Sequence, residues 1–251
     1  MSGFARYPSL EGRTAVVTGG STGLGSEFVR ELVSQGAYVG FLDIDDAAGA
    51  ALAEELGERA MFVHCDVRDI AALEAAIGSV AERFGTITVL VNNAADDTRH
   101  RLEDIDVGYW DDRLAVNVRH HFFAAKAVAP GMREAGGGSI INLGSISAHI
   151  DLTDLVGYIT AKAGIEGLTR TLARELGAMR IRVNCVIPGW VMTKRQLDNW
   201  VTPEAARHID EAQCLPDRVM PEDLARMVAW LAADDSKMCT AQKWTVDGGW
   251  L

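Results

Sequence analysis

Tyr158 and Lys162 are four residues apart in a segment with helical periodicity, so they share one helix face. A free tyrosine phenol titrates near pH ~10, which makes it a poor base at neutral pH. An ammonium group beside it stabilises the phenolate and lowers the pKa of the phenol. The pair therefore predicts a tyrosine that exchanges a proton with a substrate, although Tyr and Lys at this spacing also occur on ordinary helix surfaces.

Ser145 follows an apolar, strand-like run over residues 139–143. In open parallel sheets, ligands bind beyond the carboxyl ends of the strands. A hydroxyl group there can hold the substrate oxygen that gains or loses the proton. Each of the three residues alone is common, but together they predict a site for proton transfer at a substrate oxygen.

A glycine-rich turn over residues 19–25 directly follows the apolar run 14–18 and leads into a helical segment. Glycines let the backbone approach a pyrophosphate, and the free N–H groups at the helix start bind its charge. Tight turns also need glycine for conformational reasons alone, but the position after the first strand favours a dinucleotide site. The turn residues assigned to the dinucleotide are Gly19, Ser21, Thr22, Gly23 and Leu24.

Asp43 and Ile44 lie at the end of the second predicted strand. A carboxylate there can accept both hydroxyls of the adenosine ribose, and its charge repels a 2′-phosphate. The sequence has no Arg or Lys in the glycine turn or just after Asp43 to bind such a phosphate. We therefore expect NAD in preference to NADP, with use of both left open. Asp66 and Val67, after the third strand, are assigned to the adenine, and a solvated strand-end carboxylate is an equal alternative for Asp66.

These residues require a scaffold of alternating strands and helices, which the apolar pattern predicts. Short Val/Ile-rich runs are typical of strands that helices cover on both faces. Strands are predicted at 14–18, 38–43, 61–65, 87–91, 139–143, 181–187 and 243–246. Helices are predicted at 24–35, 47–56, 70–84, 107–134, 155–178 and 221–233. This alternation predicts an α/β fold, a doubly wound parallel sheet of Rossmann type with about seven strands and helices on both faces.

Residues 190–220 form a long connection in which a short helix is predicted to begin with Thr202 as N-cap and Pro203 in the first turn. Long connections in compact domains are commonly lids over a site or disordered segments. Apolar side chains such as Trp190 give this one surface to bury. We predict a single domain over residues 1–251, with residues 190–220 covering the substrate.

The charge and cysteine content exclude several classes of function. The net charge of −11 disfavours nucleic acid as a partner, because phosphates would be repelled. The four cysteines lack zinc-module spacing, so no metal is expected. There is neither a secretion leader nor an apolar run long enough to cross a bilayer. By elimination, we expect a cytoplasmic protein without a membrane partner.

Separated motifs occur in a fixed order along nearly the whole chain: the glycine turn, Asn-Asn-Ala-Ala at 92–95, Asn117, Ser145, Tyr158 with Lys162, and Pro-Gly at 188–189. In this order they resemble the short-chain dehydrogenase/reductase family. The resemblance implies that Tyr158 is the acid/base and Ser145 positions the reacting oxygen. Lys162 would bind the nicotinamide ribose and lower the pKa of Tyr158, and Asn117 would hold a water that relays protons from Lys162 to solvent. Further implied cofactor contacts are Asn93, Ala94, Ala95, Pro188, Gly189, Val191 and Thr193.

A closer similarity is to the bacterial aldose 1-dehydrogenases for D-xylose, L-arabinose, D-galactose and L-fucose, in residues 91–100, 116–120, 144–149, 193–196 and 212–215. It implies oxidation of a sugar at its anomeric carbon, giving a lactone and NADH. Paired polar side chains suit a substrate with several hydroxyls, whereas a fatty or steroidal substrate would require apolar loops. The substrate candidates are Asp96, Ser147, His149, Trp190 and Gln196, each of which taken alone also fits a loop-stabilising role.

Two alternatives remain. A reductase of 3-oxoacyl thioesters or other ketones would share the catalytic residues, but would favour NADPH and a basic patch for its carrier. A catalytically idle, nucleotide-sensing scaffold of the same fold would not need the catalytic residues intact. The family resemblance further implies a homotetramer or homodimer, with residues 246–250 near a subunit contact.

Overall fold

The computed structural model describes residues 4–251 and contains one parallel sheet of seven strands. The strands are β1 Thr14–Thr18, β2 Tyr38–Asp43, β3 Ala60–His64, β4 Ile87–Asn92, β5 Gly138–Leu143, β6 Ile181–Pro188 and β7 Lys243–Val246. Their order across the sheet is β3-β2-β1-β4-β5-β6-β7. The direction of winding reverses between β1 and β4, which is where doubly wound sheets bind their ligands. The predicted strands are confirmed, with ends that differ by at most one residue.

Helices cover both faces of the sheet. They are α1 Gly23–Ser34, α2 Asp46–Leu56, α3 Ile70–Phe84, α4 Val107–Leu114, α5 His120–Glu134, α6 Val156–Leu176, α7 Lys194–Asn199, α8 Pro203–Ala212 and α9 Pro221–Ala232. Side chains of α1, α2 and α9 fill one apolar cluster, and side chains of α3, α5 and α6 fill the other. Successive strand residues point to opposite clusters, Val17 to the first and Val16 to the second. The predicted fold class is thereby confirmed.

The predicted helical segment over residues 107–134 is confirmed in its bounds, but it is not a regular α-helix throughout. A π-helical turn, Ala115–Arg119, separates α4 from α5. Within it, Nδ2 of Asn117 donates a hydrogen bond to the carbonyl oxygen of Arg113 at 2.9 Å. The apolar pattern conceals the turn because one wider turn shifts the helical period only slightly. Single π-turns inside helices occur often at functional sites.

The long connection after β6 holds two helices rather than one. The predicted helix α8 is confirmed, and the hydroxyl of its N-cap residue Thr202 accepts a hydrogen bond from the Ala205 N–H at 3.2 Å. Helix α7 was not predicted, because its six residues are too few and too polar to show a period. Its N-cap, Thr193, was the available signal. Within residues 4–251, no helix combines the length and apolarity needed to cross a membrane.

The packing of Gly40 gives a first prediction. Gly40 lies in β2 beside Val16 of β1, and a Cβ there would overlap the Val80 side chain of α3. We expect Gly40→Ala to lower the free energy of unfolding by about 1–3 kcal/mol, as overpacked cores do. Gly78→Ala is the matched control: a Cβ at this position in α3 meets no atom within 4 Å, so it should leave stability unchanged or raise it. Urea unfolding of both variants tests this, and equal stabilities would contradict it.

Candidate active site

A cleft of about 810 Å³ lies beyond the carboxyl ends of the strands, around the reversal between β1 and β4. This volume is in the range of small-molecule and cofactor sites. The predicted cofactor residues that line it are Gly19, Thr22, Gly23, Leu24, Asp43, Ile44, Asp66, Val67, Asn93, Ala94, Ala95, Tyr158, Lys162, Pro188, Gly189, Val191 and Thr193. Of the predicted catalytic residues, Ser145, Tyr158 and Lys162 also line the cleft.

The glycine turn after β1 leaves both space and hydrogen-bond donors for an anion. Gly19 has φ of +63°, and a Cβ there would lie 2.7 Å from the Ala94 Cα. Thr22, the N-cap of α1, makes no side-chain capping bond, so it leaves the first N–H groups of that helix available. A Cβ on Gly23 would enter open space, with its nearest neighbour, the Thr193 methyl carbon, 3.9 Å away. These features fit the pyrophosphate of a dinucleotide.

The Asp43 carboxylate is held in place by backbone groups. It accepts hydrogen bonds from the N–H groups of Ser21 at 2.9 Å, Ile44 at 2.8 Å and Asp45 at 3.2 Å. Ser21 is buried and does not line the cleft, so its observed contact is with Asp43. This arrangement fixes a negative charge at the edge of the cleft, where the ribose of a dinucleotide was expected.

Arg68, which was not among the predicted site residues, forms an ion pair with the Asp66 carboxylate. Its Nη2 lies 2.6 Å from Asp66 Oδ2, and its Nη1 lies 2.8 Å from Asp112 Oδ1. The hydrogen bonds from Arg68 hold the pKa of Asp66 below its ordinary value. Asp112 also pairs with Arg113. Asp66 is therefore an ion-paired carboxylate that still faces the cleft.

Thr18, at the end of β1, connects the glycine turn with the segment that follows β4. Its hydroxyl accepts hydrogen bonds from the N–H groups of Asn93 at 3.0 Å and Ala94 at 3.1 Å. The Asn93 side-chain amide donates in return to the carbonyl oxygens of Thr18 at 3.0 Å and Gly19 at 2.8 Å. The two walls of the cofactor end are thereby fixed to each other.

Lys162 is a buried cation with one hydrogen-bond partner among the described residues. Its side chain is on α6, the residue is 2% exposed, and Nζ donates to the Leu143 carbonyl oxygen at 2.7 Å. Burial lowers the pKa of Lys162 to about 8. Nζ lies 5.5 Å from the centre of the Tyr158 ring, so the helical spacing does bring the predicted pair together.

The surroundings of Tyr158 favour its neutral phenol. Burial raises the pKa of Tyr158 to about 12, and the charge of Asp97 acts in the same direction. The Ser145 hydroxyl and the charge of Arg195 act in the opposite direction. Burial thus outweighs the favourable neighbours, and ionisation of Tyr158 needs positive charge beyond what these residues provide. That Lys162 lowers the pKa of Tyr158, as the family resemblance implies, stays a prediction.

Ser145 is oriented by a second serine. Its hydroxyl oxygen accepts hydrogen bonds from the N–H of Ser147 at 3.1 Å and from the Ser147 hydroxyl at 2.8 Å. Ser147 is buried and lies outside the residues that line the cleft. The Ser145 hydroxyl proton therefore remains available for a bond to an oxygen in the cleft.

Asn117 is fully buried in the π-helical turn and does not line the cleft. Its amide Nδ2 donates to the carbonyl oxygens of Asp96 at 3.1 Å and Arg113 at 2.9 Å. Its Oδ1 accepts from the Asp96 N–H at 2.9 Å. Asn117 thus connects the segment after β4 to the α4–α5 junction, and its role in holding a relay water stays a prediction.

Asp96 is the one predicted substrate residue that lines the cleft, and its carboxylate is already bonded. It pairs with Arg113 at 2.5 Å and accepts the Thr98 hydroxyl at 2.5 Å. Burial raises the pKa of Asp96, but the bonds from Thr98 and Arg113 outweigh it and lower the value overall.

The other substrate candidates lie outside the lining of the cleft and contact other protein side chains. His149 bonds through Nε2 to the Glu166 carboxylate at 2.5 Å. The rings of Trp190 and Trp250 have centroids 6.5 Å apart. Gln196 donates through Nε2 to Asp97 Oδ2 at 3.0 Å. Their roles toward substrate stay predictions.

The structure brings two further charged residues to the reacting end of the cleft. Asp97 follows β4, Arg195 is on α7, and both line the cleft. Arg195 Nη2 lies 2.7 Å from Asp97 Oδ1 and 4.0 Å from Asp96 Oδ1. Sequence reasoning missed both residues, although each lies within a stretch on which the aldose dehydrogenase resemblance rests. Within residues 4–251, no cluster of His, Cys, Asp or Glu side chains could hold a metal ion.

Comparisons with known proteins agree with this geometry. A family model described as enoyl-(acyl carrier protein) reductase matches residues 19–251. The D-xylose 1-dehydrogenase of Caulobacter vibrioides is 49% identical over 98% of both chains. The chain belongs to the short-chain dehydrogenase/reductase family. Another relative, the probable galactose dehydrogenase GalD of Rhizobium meliloti, is 41% identical over 98% of this chain and 97% of its own. The 3-alpha-(or 20-beta)-hydroxysteroid dehydrogenase of Mycobacterium bovis is 38% identical over 96% and 90%.

Solved structures place the chain in the same family. A putative short-chain alcohol dehydrogenase from Sinorhizobium meliloti 1021 has a TM-score of 0.90 and 31% identity, covering 97% of this chain and 98% of its own. The blue fluorescent protein from a metagenomic library, solved in complex with NADPH, has a TM-score of 0.88 and 33% identity over 96% and 99%. As a member of the short-chain dehydrogenase/reductase family, this protein is an oxidoreductase that acts on CH–OH groups of a small-molecule substrate with a nicotinamide cofactor.

The buried Lys162 predicts a pH dependence of stability. Its pKa is about 8 in the folded protein, against an ordinary value of 10.5, so the unfolded chain binds more protons between these values. Stability should therefore rise with pH across that window. Between pH 7 and 10, we expect the free energy of unfolding of the wild type to rise by about 2 kcal/mol more than that of Lys162→Met.

Chemical denaturation at a series of pH values measures this difference. Lys194→Met is the matched control, because the Lys194 side chain is 88% exposed and should show no such gain. Parallel curves for wild type and Lys162→Met would show that the ammonium group is not destabilised by burial.

Proposed function

We propose that this protein oxidises an aldose at its anomeric carbon to the lactone, with NAD⁺ as hydride acceptor. The observation that carries this proposal is the pairing of charges along the lining of the cleft that also holds Tyr158. The pairs are Asp96 with Arg113, Asp97 with Arg195, and Lys194 with Asp198. Such a wall offers many hydrogen-bond donors and acceptors but little net charge. It suits a neutral, hydroxyl-rich substrate better than a phosphate or a carboxylate.

The same charge pairs disfavour the alternatives. An acyl thioester on an acidic carrier would be attracted by unpaired cations, whereas the arginines on the lining, Arg68, Arg113 and Arg195, each contact a carboxylate. A steroid would leave these ion pairs desolvated against an apolar ring system, at a cost in free energy. The similarity to the D-xylose 1-dehydrogenase and the probable galactose dehydrogenase further supports a sugar as the substrate.

NAD is the preferred cofactor in this proposal because of Asp43. Three backbone N–H groups fix its carboxylate at the edge of the cleft, so it cannot move away from a 2′-phosphate without losing them. Its remaining lone pairs can accept ribose hydroxyls. NADP, with its added negative charge, would meet this carboxylate directly.

In the proposed mechanism, Tyr158 acts as a phenolate and removes the proton from the anomeric hydroxyl, and Ser145 donates a hydrogen bond to the same oxygen. When bound, the nicotinamide ring accepts the hydride from the carbon. The ammonium group of Lys162 would hold the nicotinamide ribose and would supply positive charge near Tyr158. Asn117 would support a relay that carries the proton from Lys162 to solvent.

Two further parts of the proposal concern the rest of the chain. Residues 190–220 would cover the bound substrate, as expected for a lid that includes α7 and α8. The chain would act as a homotetramer or homodimer, with residues 246–250 at a subunit contact.

The role of Tyr158 is tested by Tyr158→Phe. Removal of the hydroxyl eliminates the proton acceptor but keeps the ring, so we expect kcat with an aldose to fall by roughly 10³-fold. NADH affinity, measured by fluorescence titration, should change by less than about 3-fold, since one hydrogen bond at most is lost. Tyr38→Phe, on β2 and stacked on Phe84, is the control and should retain activity. Turnover by Tyr158→Phe at the wild-type rate would refute the assignment.

The role of Asp43 is tested by Asp43→Asn. We expect the ratio of kcat/KM for NAD⁺ to that for NADP⁺ to fall by about tenfold or more, because the repulsion of the 2′-phosphate is removed. Asp45→Asn keeps the N-cap of α2 and should leave the ratio unchanged. A wild-type preference for NADP⁺ would contradict the cofactor proposal.

A further inference from the structure

The ion pair between Asp97 and Arg195 lies at the reacting end of the cleft. Arg195 Nη2 is 2.7 Å from Asp97 Oδ1, and Gln196 Nε2 is 3.0 Å from Asp97 Oδ2. Asp97 and Arg195 both line the cleft together with Ser145 and Tyr158. Their charges also act on the Tyr158 phenol, in opposite directions. A molecule with an oxygen near Tyr158 would therefore be close to this pair.

Asp97 keeps capacity for further hydrogen bonds, which distinguishes it from Asp96. The carboxylate of Asp96 is held by Arg113, whose side chain is 11% exposed, and by Thr98. Asp97 has one partner on each oxygen, and each carboxylate oxygen can accept two bonds. The Arg195 side chain is 53% exposed, so N–H groups that do not contact Asp97 are open to the cleft or to solvent. The pair thus offers free acceptors and free donors side by side.

We propose that Asp97 and Arg195 form the subsite that recognises the substrate's hydroxyl groups away from the reacting carbon. Asp97 accepts hydrogen bonds from these hydroxyls, and Arg195 donates to a hydroxyl or ring oxygen, while the ion pair between them persists. This assignment rests on the proposed oxidation of a sugar. It differs from the sequence prediction, in which the neighbouring residues Asp96 and Gln196 contacted the substrate. In the proposed subsite, Gln196 instead orients the Asp97 carboxylate.

The paired charges set the chemistry of the ligand. A hydroxyl group both donates and accepts, so it can bond to the carboxylate and the guanidinium at once. An anionic substituent would be repelled by Asp97 and by Asp96, which lies 4.0 Å from the Arg195 guanidinium. The subsite therefore selects neutral polyols, and an analogue without the distal hydroxyls leaves the free acceptors of Asp97 and the free donors of Arg195 without a ligand partner.

The test compares two substrates that share the reacting group. D-xylose or D-galactose carries the distal hydroxyls, whereas 2-hydroxytetrahydropyran has the same cyclic hemiacetal without them. We expect Asp97→Asn to lower kcat/KM for the sugar about 10–100-fold, the loss for a hydrogen bond to a charged group. For 2-hydroxytetrahydropyran, kcat/KM of Asp97→Asn should stay within about 3-fold of the wild-type value. Any effect of Asp97 on the Tyr158 pKa applies to both substrates and cancels in their ratio.

Further variants keep the result interpretable. Asp97→Asn with Arg195→Gln removes both charges, so its loss of sugar selectivity cannot come from an unpaired guanidinium. Glu55→Gln breaks an ion pair with Arg30 on the outer helices and should leave kcat/KM for both substrates unchanged. NADH titration and the melting temperature show that each variant is folded.

Two results would overturn the proposal in distinguishable ways. An equal loss of kcat/KM for the sugar and for 2-hydroxytetrahydropyran would show that the pair supports the lid or Tyr158, and would refute the subsite alone. Oxidation of 2-hydroxytetrahydropyran but of neither sugar by the wild type would refute the proposed function and the subsite with it.

Discussion

The burial of a single ammonium group constrains the architecture of this site. Lys162 has nearly no contact with solvent and donates to the carbonyl oxygen of Leu143, at the end of β5. Burying a cation is costly, and its charge disfavours a second positive charge nearby. His120 behind it shows the effect, because burial and then the charge of Lys162 lower the pKa of that imidazole to about 3. The buried His120 imidazole on α5 is therefore neutral, and Lys162 carries the positive charge in this polar part of the interior.

A second consequence of this environment concerns Tyr158. The same burial that destabilises the ammonium form of Lys162 destabilises the phenolate, and it raises the pKa of Tyr158 to about 12. Burial thus disfavours the charged form of both groups, although Lys162, with a pKa of about 8, still carries its proton at neutral pH. Charge brought into the cleft acts on both at once, since an interaction is stronger where water is excluded. In the proposed reaction, cofactor binding and the ionisation of Tyr158 are coupled for this reason.

The sequence was sufficient for the sheet and for the cofactor end of the cleft. Short apolar runs locate strands well when both faces are covered, and a strand that ends in glycines can place its turn in few ways. The substrate end was less predictable. His149 lies in an expected loop and Gln196 lies on α7, and the side chains that they bind, Glu166 and Asp97, determine where they point. Such long-range pairings carry no local signal, and neither does the π-helical turn that holds Asn117.

The ion pairs along one wall of the cleft form an alternating series from the adenine end to α7. Arg68 bridges Asp66 and Asp112, and Arg113 bridges Asp112 and Asp96. Both arginines share Asp112, so replacing Arg68 would leave Asp66 without its cation, and replacing Arg113 would leave Asp96 with only the 4.0 Å contact to Arg195. A substitution that preserves the charge balance of this wall therefore has to exchange a cation together with an acidic neighbour.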